Sequence, residues 1–135
     1  MYLEEFKSGD AFIDTNIFLY NSLQIQKYLK SCKNFLSRIE SGEINGFTSV
    51  LVLNEVWYKL LVAKVIEKYE VERKDVKGFI KKTPDVFKLS EPKRAVNDIE
   101  HFVKILPTPS EAIALAKEYS TKYLLLTSDA IILLR

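Results

Sequence analysis

Three short β-forming runs in this 135-residue chain each give way to a helix-like pattern beside a carboxylate. Asp14 lies in Phe12-Ile13-Asp14-Thr15-Asn16, Glu55 in Leu53-Asn54-Glu55-Val56-Trp57, and Asp129 in Leu126-Thr127-Ser128-Asp129-Ala130. This alternation predicts an α/β fold with strands that end along one edge of an open sheet. Acids at such an edge can converge although they are far apart in the chain. Converging acids without a basic partner ask for a divalent metal.

The elements between those acids follow from spacing. Ala11-Phe12-Ile13 reads as a first short strand, after which Thr15 or Asn16 can cap a helical turn starting near Ile17. A helix over about 24–41 gathers Tyr28, Leu29, Cys32, Phe35, Leu36 and Ile39 on one face, and Gly42 suits its end. Asn45-Gly46 reads as a tight turn, Phe47-Thr48-Ser49-Val50 as a second strand, and 51–69 as a long helix carrying Glu55. That helix is apolar nearly all round near its start, which predicts a partly buried Glu55. Amphipathic helices are expected over 73–82 and 92–104, then a strand at Ile105-Leu106 and a helix from Ser110 to about 119. The apolar run 124–126 fits a strand or a buried helix, and a last helix is expected over 130–135.

Composition bounds the remaining classes. At 47% hydrophobic and 28% charged residues, the chain suits a single domain over 1–135 that buries a core without staples. One cysteine, Cys32, can form no internal disulfide and offers no thiolate set for zinc, which points to a reducing cytosol. The N-terminus is acidic where a secretory leader would be basic, and no run approaches the roughly 18 apolar residues of a membrane span. A soluble cytoplasmic protein is the expectation. Four glycines form neither a Walker loop nor a dinucleotide fingerprint, and the single histidine, His101, reads as a plain helix-surface residue. Net charge is only +2, but residues 59–94 hold 11 Lys/Arg against 6 Asp/Glu. That stretch is either a solvated helical face or a surface for a polyanion.

Taken singly, each acid also has a plain structural role. Asp14 can be an N-cap, Glu55 a partner in an ion pair, and Asp129 a first-turn acid favoured by the helix dipole. Each of the two aspartates, however, has Thr, Ser or Asn neighbours that could do the capping, more than one helix end needs. The surplus favours a polar site. The finish at Ala130-Ile-Ile-Leu-Leu-Arg135, without a C-cap or polar tail, reads as a truncated C-terminus.

With the segments 12–18, 47–56 and 123–130 in this order and spacing, the chain resembles the PIN-domain ribonucleases, a family that includes VapC-type toxins. The likeness covers nearly all of the chain, and the helical middle, about 70–105, is its least diagnostic part. It implies a Rossmann-like parallel sheet flanked by helices, with an acidic pocket at the strand C-termini binding Mg²⁺ or Mn²⁺. Asp14, Glu55 and Asp129 match the family's first three acids, and Thr15 and Asn16 match the polar pair that orients the first. The implied activity is metal-dependent hydrolysis of RNA phosphodiesters in the cytoplasm, toxin-like, with an antitoxin protein as a possible partner. Family members continue into a further strand and a fourth acid, which nothing after Arg135 supplies. The expectations that follow are a missing last strand, an exposed apolar face and a homodimer covering it. A reading of another class stands beside this one: a catalytically inactive module of the same fold that binds RNA or protein, RNA being held through 59–94 and not cleaved.

Overall fold

A computed structural model describes residues 3–106 together with Ser110, Ala114 and Lys117. The apolar run 124–126, the helix expected over 130–135 and Asp129 itself lie outside the described residues. Ser110, Ala114 and Lys117 are helical, within the helix expected from Ser110.

Three parallel strands form the sheet: β1 (Gly9–Phe12), β2 (Ile44–Ser49) and β3 (Lys104–Leu106), in that order. Phe12 of β1 pairs with Phe47 of β2, and Ser49 pairs with Leu106 of β3. Between β1 and β2 run α1 (Thr15–Ser22) and α2 (Gln26–Glu40); α3 (Val50–Tyr69), α4 (Val76–Lys82) and α5 (Ser90–Glu100) join β2 to β3. Parallel strands need such crossovers, and the helices bring the apolar faces that cover them. This is the α/β, PIN-like arrangement that the motifs imply.

The core has two parts. The face of α2 expected from spacing buries Cys32, Phe35, Leu36 and Ile39 against Phe12, Ile13 and Ile44 of the sheet region. The first half of α3 adds Val52, Leu53, Val56 and Leu60 to that cluster. Its second half leaves the sheet and builds a separate cluster, in which Leu61 and Val65 meet Val76, Ile80 and Val86. The basic stretch 59–94 is therefore folded over apolar residues of its own.

Three local readings are corrected or refined. Asn45-Gly46 is not a turn but the interior of β2, in register with Asp10 and Ala11. Asn45 Nδ2 donates to Asp10 Oδ1 at 3.0 Å, and Gly46 passes so close to α2 that a Cβ there would lie 2.6 Å from Ile39 Cγ2. The glycine serves close approach of backbone to side chain; the reversal falls at Gly42, with φ +87°. The helix expected over 92–104 occupies Ser90–Glu100, with Pro92 buried in its first turn and the chain already extended at Lys104. Glu55, expected to be at least partly buried, keeps half of its side chain exposed at the edge of α3, because Val52, Val56 and Leu60 take the fully buried side.

Candidate metal centre

Of the two described acids, Asp14 sits where β1 hands over to α1, and Glu55 lies in the second turn of α3, just past the end of β2. Past Phe12, the chain is tied to the end of β2 by two bonds. Ile13 N donates to Phe47 O at 2.7 Å, and the fully buried Thr48 donates its hydroxyl to Ile13 O at 3.0 Å. One residue later, Asp14 takes the N-cap position of α1, extended at φ −84° and ψ 167°, and its Oδ1 accepts from Thr15 N at 2.7 Å. The cap, open from the sequence to Asp14, Thr15 or Asn16, thus belongs to Asp14, and both neighbours are in the first turn. On the adjacent strand, buried Ser49 caps α3 by accepting from Val52 N at 3.2 Å, which fixes where the helix starts and so where Glu55 emerges.

Thr15 joins the two. Only 3% exposed, it donates its hydroxyl to Glu55 Oε2 at 3.0 Å, across 40 residues of sequence. Two hydrogen bonds on one residue, at 2.7 and 3.0 Å, keep the Asp14 and Glu55 carboxylates within about 10 Å of each other. The other Glu55 oxygen, Oε1, lies 2.9 Å from Lys59 Nζ, one turn along α3. The Lys59 ammonium is the main cause that holds the Glu55 carboxyl below its ordinary pKa; partial burial opposes it, and the Thr15 hydroxyl adds to it. Asn16 is exposed beside Asp14.

No group of three His, Cys, Asp or Glu able to hold a metal occurs among the described residues. Asp129, the third acid of the sequence reading, is outside them. The pair that is described is all hard oxygen, which suits Mg²⁺ or Mn²⁺ rather than zinc. Mg²⁺ in particular binds one or two carboxylates while keeping its waters and taking substrate phosphates, a demand that Asp14 and Glu55 can meet.

Sequence reasoning missed two features of this centre. The motif places Thr15 beside Asp14 but does not show that its hydroxyl reaches Glu55. Lys59 belongs to no motif; its signal is the order Glu then Lys at i+4 on a helix, which favours an ion pair. The described helices include none long and apolar enough to cross a membrane.

Over 126 residues the chain is 28% identical to Ribonuclease VapC2 of Methanocaldococcus jannaschii, a match spanning 93% of this chain and 76% of that protein. No protein-family model matches the chain. No solved structure matches it significantly. A match of that extent takes in both described acids, and it is a distant homology to a VapC ribonuclease, in keeping with the resemblance that the motifs carry.

Proposed function

We propose that the protein is a divalent-metal-dependent endoribonuclease of the VapC type, with Asp14, Glu55 and Asp129 as the acids of its metal site. The observation that carries this reading is the Thr15 bridge, which gathers the Asp14 carboxylate at the start of α1 and the Glu55 carboxylate from the second turn of α3, the helices that follow two adjacent parallel strands. In open α/β sheets the C-terminal edge of the strands is where ligands bind. Asp14 and Glu55 hold Mg²⁺ or Mn²⁺, Thr15 fixes the Glu55 carboxylate, and Asn16 lines the approach. What such an ion supplies is positive charge at the scissile phosphate and its leaving oxygen. The basic stretch above the second core cluster holds the flanking phosphates. An antitoxin protein that covers the acids is the partner this reading implies.

The test is cleavage of a mixed RNA substrate with Mn²⁺ or with chelator, comparing the protein with Asp14→Asn. Asparagine caps a helix as well as aspartate does, so the variant separates the cap from the ligand. Cleavage should require the metal and fall by more than about a hundredfold in Asp14→Asn, beyond the 10–100-fold typical of outer-sphere partners. Cleavage that persists in Asp14→Asn would reject the site. RNA binding without cleavage by the unaltered protein would favour the inactive binding module instead.

A further inference from the structure

The Glu55 carboxylate has both oxygens engaged, and the two engagements differ in kind. Oε2 is held by the hydroxyl of Thr15, which is 3% exposed and fixed in the core. Oε1 is held by Lys59, whose side chain is 48% exposed and anchored by nothing else among the described residues. Exposed i,i+4 pairs of this sort are weak and easily exchanged. A divalent ion entering between Asp14 and Glu55 needs an oxygen and repels an ammonium, so Lys59 is the partner that gives way. Its flexible four-carbon stem then leaves the ammonium on the open side of α3, where Asn54, Glu55 and Tyr58 are also exposed. A phosphate drawn to the ion along that side would meet the ammonium there.

Resting on the metal-dependent reading above, we propose that Lys59 exchanges partners: it neutralises Glu55 in the metal-free protein and takes a backbone phosphate of the RNA once a divalent ion is bound. Metal loading and substrate binding are thereby coupled through one side chain. Lys59 acts here as a positioning residue, and its removal should improve the first event while impairing the second.

Two binding measurements at about 0.15 M salt, where charges beyond roughly 8 Å are screened, test this without reading activity. The first is Mn²⁺ binding by titration calorimetry for the unaltered protein, Glu55→Gln, Lys59→Met and Lys68→Met. Lys68 is exposed on the same helix, nine positions and about 13 Å further along, and controls for net charge. Lys59→Met should bind Mn²⁺ about twofold more tightly, the worth of an exposed pair, and Lys68→Met should not. The second is anisotropy of a labelled single-stranded DNA oligonucleotide, a phosphodiester chain without the 2′-hydroxyl. Mn²⁺ should tighten its binding to the unaltered protein about fivefold more than its binding to Lys59→Met. If Glu55→Gln loses Mn²⁺ while Lys59→Met gains nothing, the exchange is overturned and the metal site stands. Equal tightening in Lys68→Met, or an undiminished oligonucleotide response in Lys59→Met, also overturns it. No Mn²⁺ binding by the unaltered protein would remove the metal reading itself.

Discussion

Glu55 shows how far a single residue can be read before its neighbours are known. The apolar run around it suggested burial, yet the helix turns those residues inward and leaves the carboxylate half exposed. What the local sequence could not carry is the hydroxyl arriving from Thr15, 40 positions away, because long-range partners leave no local periodicity. The consequence is a carboxyl whose folded-state pKa lies below its unfolded value, with Lys59 the largest cause. A depressed pKa stabilises the fold at pH above the ordinary glutamate range, and that contribution is lost as pH falls through the folded value. In metal-free buffer, a carbon-13 carboxyl titration should therefore place Glu55 below the ordinary range. Lys59→Met should raise it most and Thr15→Val less. A Glu55 carboxyl that titrates at or above the ordinary range in the unaltered protein would contradict the bonds to both partners. Thr15→Val keeps the buried volume and loses one bond to a half-exposed charge, a stability cost of about 1 kcal/mol.

Among the elements, the helices were the legible part and the start of β2 was not. Apolar spacing marked α2 and α3 because a helix that covers a sheet must place Phe35, Leu36 and Ile39, or Val52, Val56 and Leu60, on one stripe. Asn45-Gly46 carries the commonest turn signature, and nothing nearby distinguishes a glycine that bends the chain from one that lets a helix approach it. Ile39 distinguishes them. A Cβ at position 46 would meet Ile39 Cγ2 at 2.6 Å and Cδ1 at 3.3 Å, so Gly46→Ala should push α2 from the sheet at a cost of about 1–3 kcal/mol. In the Ile39→Ala background those atoms are gone. There Gly46→Ala should be neutral or slightly stabilising, because alanine loses less backbone entropy than glycine. Urea denaturation of the four proteins in the cycle measures the coupling, and strictly additive effects would mean that Gly46 answers to something other than Ile39.

For the molecule as a whole, the division of the core into two clusters separates two tasks. The cluster beneath the sheet fixes the ends of β1 and β2, and with them the two acids. The second cluster, built on the far half of α3, carries α4 with its lysines Lys77, Lys81 and Lys82. Several lysines of the basic stretch are spent on neighbours: Lys64 on Glu67 and Glu91, Lys74 on Glu72, Lys88 on Asp85. Lys77, Lys81 and Lys82 on α4 are exposed and have no ion pair among the described residues. The net charge of residues 59–94 was visible from the sequence, but which cations are spent could not be, since that depends on how α3, α4 and α5 are arranged. If the stretch holds RNA, the free α4 cations should carry more of the affinity than Lys64, Lys74 and Lys88, which are spent on neighbours. Replacing Lys81 and Lys82 together by Gln should lower affinity for single-stranded RNA and flatten the dependence of log K on log salt by about 0.7 per lost phosphate contact. The same double change at Lys74 and Lys88 should leave the slope nearly as it was. Equal slopes for all three proteins would return α4 to an ordinary solvated surface and leave the open side of α3 beside Glu55, with Lys59, as the RNA path.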